Sequence, residues 1–403
     1  MAINIRTDEL KKIKDQFGEA FYLLDSDQFR QNFLELKEAF SSIYPRFNIA
    51  YSYKTNYTPA LCKIVDELDG YAEVVSEMEM ELALRIGVKP SKIMWNGPIK
   101  NPNMVRDFLL KGGIVNIDSL EEMEMLKTVI AEHPGHVFPL GIRCNFDVND
   151  GVISRFGFDI DGSDFHKAIS FFSHTPNIKF VNLQCHFAKR QIDYWPTRAK
   201  KMVELFDRLE ITPERIDLGG GLFGKMTDFM KAQFHNPIPS YLEYAKVAAT
   251  ELAEKFGNSG PEMVIEPGSA LVGDCLKFIG TVKTIKCIRG KFFASILGSR
   301  NNINMNGINP PIEIIPSGNA QTEYEKIDLV GYTCIENDVL YKDFSGKMAV
   351  GDSIVISNCG SYSLVMKPPF ILPNFPVLAF SGDKIEVVKR AETFDDIFRS
   401  YVF

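Results

Sequence analysis

The chain has 403 residues, 45% hydrophobic and 24% charged, with a formal net charge of −7. That length fits two or three domains, or one large barrel with an appendage, and the acidic balance disfavours general nucleic-acid binding. The first ten residues have no apolar core and no run of about eighteen apolar residues exists, so neither a signal peptide nor a membrane span is expected.

Residues 21–25 read as a short strand, and Asp25 or Ser26 can cap the helix that follows, where Phe29, Phe33, Leu36 and Phe40 recur at helical spacing. From residue 47 a rhythm sets in. Strand-like runs fall at 47–54, 71–76, 92–95, 113–118, 137–143, 179–186, 215–219 and 263–267. Amphipathic helical stretches lie between them, among them 77–86, 119–130, 196–208 and 240–256. This alternation, over roughly the 250 residues such a fold needs, predicts a (β/α)8 TIM barrel across 26–270. The rival, a doubly wound sheet, would place a Gly-x-Gly-x-x-Gly turn after its first strand, and Lys54-Thr55-Asn56 is not one. After residue 270 the helical period stops. Short β-rich runs at 278–287, 291–297, 312–315, 327–333, 353–357 and 385–389 are separated by Gly, Pro, Asn and Asp turns. They predict a mostly β domain from 271–403, joined by the N-terminal segment 1–25.

Seven cysteines (62, 144, 185, 275, 287, 334 and 359) show no CxxC spacing. An odd, dispersed set reads as reduced thiols in a cytoplasmic protein without disulfide framework or zinc site. The six histidines form no ligand cluster, so no metal is expected.

Catalytic groups of a barrel come from the C-terminal ends of its strands. Here those ends carry Lys54, Glu73 with Ser76, Asn96, Asp118, Arg143 with Asn145, His186, Gly219-Gly220-Gly221 and Glu266-Pro267-Gly268. Asn, Asp and Gly are ordinary at strand ends, so Lys54, His186 and Glu266 carry the signal. Alone, Lys54 reads more readily as a side chain snorkelling to solvent than as an amine that reacts with a carbonyl. The triple glycine is a plain turn, or a place where main-chain N–H groups approach an anion. An amine, a phosphate cradle and a carboxylate for a ring nitrogen together describe pyridoxal 5′-phosphate.

The order of these pieces resembles the fold-type III pyridoxal-phosphate-dependent decarboxylases, the group of diaminopimelate and ornithine decarboxylases, from about residue 20 nearly to the C-terminus. Tyr51-Ser52-Tyr53-Lys54-Thr55-Asn56 resembles the strand with the family's Schiff-base lysine. His186 matches the histidine stacked on the cofactor, Gly219-Gly220-Gly221 the phosphate loop, Glu266-Pro267-Gly268 the acid at the pyridine nitrogen, and Glu73 an acid near the ring. Gly331 to Asp338 resembles the segment whose cysteine, here Cys334, enters the partner subunit's site as proton donor, and Gly360-Ser361-Tyr362 the segment whose tyrosine touches the phosphate. The resemblance implies an alanine-racemase-like fold, a homodimer with shared active sites, and decarboxylation of an amino-acid substrate.

Three departures bear on phosphate and substrate. Lys189 stands where the family commonly has Ser, and Ser269 where it commonly has Arg, which suggests an exchange in which Lys189 supplies the phosphate's cation and Ser269 its hydroxyl. Lys189 or Arg190 contacting substrate is the other reading. Ile335 replaces the acid that recognises a distal amine, and burying an ammonium beside it is unfavourable. The arginine-rich substrate segment is also altered, leaving Arg300, which reads as a carboxylate contact or a solvated side chain. The expected substrate is therefore an L-amino acid or a conjugate of one, carrier-attached forms included, other than diaminopimelate or ornithine, with Arg300, Ile335 and Asp338 at its binding site. Two other functions follow the same fold: amino-acid racemisation, and a non-catalytic regulatory role that would have shed the cofactor residues.

Overall fold

In the computed structural model, which describes residues 7–304, 308–381 and 384–403, eight parallel strands close into a ring. They are Phe47–Ser52, Tyr71–Val74, Ile93–Trp95, Ile114–Ile117, Phe138–Asn145, Ile178–Cys185, Arg215–Asp217 and Glu262–Ile265. Each pairs with the next, and Glu262–Ile265 returns to Phe47–Ser52. The expected (β/α)8 barrel is therefore present. Its strands are buried on both faces, which is why they read as near-continuous apolar runs. The helix Ser26–Ser41 starts where expected, and of its two candidate caps Asp25 acts, accepting from the Gln28 N–H at 2.9 Å. Phe29, Phe33, Leu36 and Phe40 are all fully buried.

The chain divides into two compact units. One comprises Arg30–Phe223 and Pro239–Ala270, the other Met1–Phe29, Gly224–Ile238 and Leu271–Phe403. The second unit is built on a nine-stranded sheet. In it the N-terminal strand Phe21–Leu24 lies between Leu276–Ile288, antiparallel, and Val377–Ser381, parallel. Its core includes Leu10, Ile13, Phe21, Leu23, Ile279, Val355 and Leu378.

Several elements depart from the sequence reading. Thr7–Phe17 is a helix whose Leu10 and Ile13 enter that core. The strand placed at 327–333 runs instead over Thr322–Val330, paired with a strand at Val339–Met348 that the sequence did not reveal. Both carry charged, exposed residues, which weaken an apolar pattern. No helix among the described residues is long and apolar enough to cross a membrane, and none of their His, Cys, Asp and Glu side chains form a metal-ligating group.

Candidate active site

The first barrel strand stops at Ser52, two residues short of the expected end, and Lys54 sits in a 3-10 turn over Tyr53–Thr55. The turn is braced. Tyr51 Oη donates to the Asn56 carbonyl at 2.8 Å, and the Ser52 N–H donates to the Pro267 carbonyl at 3.1 Å, tying the first strand end to the eighth. Lys54 Nζ lies 2.5 Å from Glu73 Oε2. Ser52 is the register partner of Glu73, and its hydroxyl donates to the same carboxylate oxygen. Burial acts to raise the Glu73 carboxyl, but the Lys54 ammonium and the bonds from Lys54, Ser52 and Asn96 outweigh it and hold the group below the usual range. Glu73 is thus an anion that fixes Lys54.

Glu266 stands opposite, 3% exposed. Burial, then the neighbouring charges of Asp217 and Glu73, push its carboxyl well above the ordinary value. Asp217 is likewise raised to about 6, chiefly by burial. His186 accepts the Gly220 N–H on Nδ1 at 3.0 Å. Burial, with Lys54, Arg143 and Arg198 nearby, drives its pKa well below the usual imidazole value, so the ring is neutral and its proton sits on Nε2. Its 3.7 Å approach to Glu266 is then not an ion pair.

The glycines serve close backbone packing before anything else. At Gly219 φ is +69°, and a Cβ would lie 2.2 Å from the Cys185 carbonyl. At Gly268 a Cβ would lie 2.0 Å from Thr55 Oγ1. The Gly219 amide donates to Asp217 Oδ1 and the Gly220 amide to His186, so among the described residues only the Gly221 amide of the three has no partner. Beneath the loop, Arg198 is fully buried and donates to the carbonyls of Leu218 (3.0 Å), Gly220 (2.7 Å) and Phe187 (3.4 Å).

Lys189 does not turn to this loop. Its Nζ donates to the Asp150 carbonyl, and it is Arg190 whose Nη2 reaches Ser269 Oγ at 3.4 Å. Of the two adjacent cations expected near phosphate or substrate, Arg190 is thus the one beside Ser269. Lys54, Glu73, His186, Gly219, Gly220, Gly221, Glu266, Gly268 and Ser269 all belong to the barrel unit. Sequence reasoning set Asn96 aside as an ordinary strand end and did not name Gln184, Asp217 or Arg198. The signal available was polar residues inside otherwise apolar strands, as in Asn182-Leu183-Gln184-Cys185, and an arginine on the apolar side of a helix between Trp195 and Met202.

In the other unit, Cys334, Ile335, Arg300 and Tyr362 line one open cavity of about 1010 Å³. Cys334 and Ile335 are exposed. Arg300 Nη1 donates to the Asn337 carbonyl at 3.3 Å, holding the guanidinium on the Cys334 segment. Asp338, expected at the substrate, is 4% exposed. Its oxygens accept from Ser299 Oγ, the Arg300 N–H and the Thr333 N–H and hydroxyl. These bonds tie the Cys334 segment to the Ser299–Arg300 turn, and Asp338 lines the same cavity with both its oxygens already accepting.

One neighbouring acid gives a pH test. Burial, with Glu73 adding to it against a bond from the Val75 N–H, pushes Glu79 up to about 7. A carboxyl raised on folding stabilises fully below its unfolded value, and that stability is lost as pH rises through the folded one. The difference in urea-unfolding stability between wild type and Glu79→Gln is therefore expected to change by at most about 3 kcal/mol from pH 4.5 to above pH 7, wild type losing ground. A pH-independent difference would contradict it.

The residues fit pyridoxal phosphate. A lysine paired with a buried carboxylate, a second carboxyl of high proton affinity, a neutral imidazole, and an uncommitted loop amide together with Arg190 and Ser269 suit an aldehyde, a ring nitrogen, a ring face and a phosphate. Comparison with known proteins agrees. The family model described as pyridoxal-dependent decarboxylase, pyridoxal binding domain, matches residues 27–273. The chain is 26% identical over 406 residues to a diaminopimelate decarboxylase of Aquifex aeolicus, covering 96% of this chain and 93% of the relative. It is 27% identical over 400 residues to that of Staphylococcus aureus, covering 94% and 93%. Among solved structures, a diaminopimelate decarboxylase from M. jannaschii superposes with a TM-score of 0.87 at 22% identity, covering 97% of this chain and 94% of that one. An arginine decarboxylase of Paramecium bursaria Chlorella virus superposes at 0.74 and 19% identity, covering 93% and 98%.

Proposed function

This chain belongs to the family of pyridoxal-dependent decarboxylases, a group of carboxy-lyases, and from that premise we propose that it decarboxylates an L-amino acid or amino-acid conjugate other than diaminopimelate or ornithine. The observation that carries the reading is the Lys54–Glu73 pair, with Nζ 2.5 Å from a buried carboxylate at the mouth of the barrel.

Bound pyridoxal phosphate supplies a conjugated ring that accepts the electron pair left by the departing carboxylate. Lys54 is the amine that holds its aldehyde, and Glu73 keeps Nζ in place. Glu266 would meet the ring nitrogen and hold or yield a proton there, as its high proton affinity favours. His186, uncharged, would support the ring without competing for that proton. Arg190, Ser269 and the Gly221 amide would receive the phosphate. Cys334 of the partner subunit returns a proton to the α-carbon. This scheme makes the enzyme a homodimer with shared sites.

The substrate reading rests on the second unit's cavity. Ile335 is apolar and Asp338 is fully engaged, so neither neutralises a distal ammonium, while Arg300 suits a distal carboxylate. A carbon dioxide release screen over basic amino acids, and over their carboxyalkyl, citryl and carrier-protein conjugates, tests this. Release from a conjugate is expected, and release from diaminopimelate or ornithine alone would overturn it. Borohydride reduction and peptide mass spectrometry should modify Lys54; an unmodified, colourless protein would sink the cofactor assignment. Arg190→Ala is expected to weaken cofactor retention about tenfold or more in dialysis, as loss of a charge-assisted contact does, with Lys189→Ala much milder. Equal effects would refute the assignment to Arg190.

A further inference from the structure

Inside the barrel, four side-chain amides fill the space between three buried carboxyl groups. Asn96, Asn116, Asn182 and Gln184 are each no more than 3% exposed. Three of them form a chain with one direction. Asn182 Nδ2 donates to Asn116 Oδ1 at 3.3 Å, and Asn116 Nδ2 to Asn96 Oδ1 at 2.6 Å. Asn96 Nδ2 then donates to Glu266 Oε1 at 2.6 Å and to Glu73 Oε1 at 3.1 Å. Glu73, held as an anion, only accepts, so the Asn96 NH2 must face it and with it Glu266, and its carbonyl must face Asn116. The order of donors is thereby set back to Asn182, whose Nδ2 also lies 3.5 Å from Asp217 Oδ2. Gln184 adds a second donor to Glu266, at 3.2 and 3.3 Å from its two oxygens.

The backbone under the chain is clamped. Lys100, its side chain 1% exposed, donates to the carbonyls of Gly97 at 2.7 Å and Asn116 at 3.0 Å, and pairs with Glu122 at 2.7 Å. Glu122 in turn accepts the Asp118 N–H at 2.7 Å. One buried cation thus fixes the main chain next to Asn96 and at Asn116, two adjacent barrel strands, without touching either acid.

We propose that Asn96 is a positioning residue that joins Glu73 and Glu266 into one hydrogen-bonded unit, with Asn116 behind it setting the direction and strength of both bonds. A single amide gives one N–H to each acid, and hydrogen bonds in series polarise one another. The acid that fixes Lys54 and the acid opposite it therefore do not ionise independently. The other charged groups facing the pair are Lys54, Asp217, Arg143 and Arg198, with Glu79 behind Glu73 and the neutral His186 beside Glu266. The catalytic importance of the coupling rests on the carboxy-lyase reading; the coupling itself does not.

The test follows the two acids in the cofactor-free protein by carbon-13 NMR of labelled glutamate carboxyls, assigned with Glu73→Gln and Glu266→Gln. Asn96→Ala is expected to raise both titrations by about one pH unit, a tenfold change in each ionisation constant. Asn116→Ala touches neither acid, yet is expected to move both in the same direction by a smaller step. The double variant should match Asn96→Ala alone, because residues acting in series do not add. Additive shifts, a shift of one acid only, or unchanged titrations in Asn116→Ala would each overturn the proposal. A merely structural asparagine would lower the melting temperature and leave the titrations where they were. Should Asn96→Ala not fold, Asn116→Ala alone decides. In the loaded enzyme the acid limb of the kcat/KM profile should move up with Asn116→Ala. A normal titration shift with no carbon dioxide release from any substrate would leave the coupling standing and count against the carboxy-lyase reading.

Discussion

Lys54→Ala is expected to lower kcat by at least about 10³-fold, some 4 kcal/mol of barrier, and also to weaken the fold. The two losses have separate causes. In the proposed scheme turnover needs a primary amine at this position. Stability needs a cation beside Glu73, whose side chain is 1% exposed and would otherwise be a buried, unpaired acid. Lys54 is about one-third exposed, with 32% of its side chain open, so the stability loss belongs at the lower end, about 1–3 kcal/mol. Lys54→Arg separates the two. A guanidinium restores the charge and most of the stability, but is no nucleophile and leaves turnover as low as in the alanine variant. Urea unfolding and carbon dioxide release on the same three proteins check this. Substantial turnover in either variant would remove Lys54 from the centre of the site.

Gly219→Ala carries the second large effect, about 2–5 kcal/mol of destabilisation. Left-handed backbone at φ +69° costs an alanine about 1–2 kcal/mol. The larger part is overlap. The new Cβ would sit 2.2 Å from the Cys185 carbonyl and 2.9 Å from His186 Cα, both main chain, so no side chain can rotate away. Relief requires the loop to move, which breaks the Gly220–His186 and Gly219–Asp217 hydrogen bonds. Gly135→Ala is the control. A Cβ there meets nothing within 4 Å, and the urea midpoint should change by less than about 0.5 kcal/mol in equivalent stability. Equal midpoints for the two variants would refute the packing argument.

The barrel was legible because each buried strand is a short apolar run bounded by an amphipathic helix, and a closed parallel ring follows from that alternation. Lys54, His186 and Glu266 were legible because charged and titratable groups are uncommon at the ends of such strands. Asn96 was not, since asparagine is ordinary there and nothing local separates one that ends a strand from one that bridges two acids. That difference lies in the third dimension, in Glu73 and Glu266 both lying within reach of one amide nitrogen. Lys189 and Arg190 are adjacent cations, and only the path of the loop decides that the first turns to Asp150 and the second to Ser269. The paired strands Thr322–Val330 and Val339–Met348 were obscured for another reason. Glu323, Glu325 and Lys326 in the first and Lys342-Asp343 in the second are exposed, so neither strand keeps the alternation that one buried face would write into it.

The N-terminal strand Phe21–Leu24 has a bearing on how the chain is made. One of its neighbours, Leu276–Ile288, follows only after the whole barrel sequence, and the other, Val377–Ser381, close to the end. At ribosomal rates of roughly 5–20 residues per second, Tyr22 waits roughly 20–70 s for its partner Val377 to be synthesised. During that wait Phe21-Tyr22-Leu23-Leu24 is a short, uncharged apolar segment with unpaired main-chain edges, while barrel segments emerge in the order in which they pair. Nascent chains stalled before residue 377 should therefore engage chaperones through this segment, and Leu23→Lys would relieve that engagement at the expense of the finished sheet.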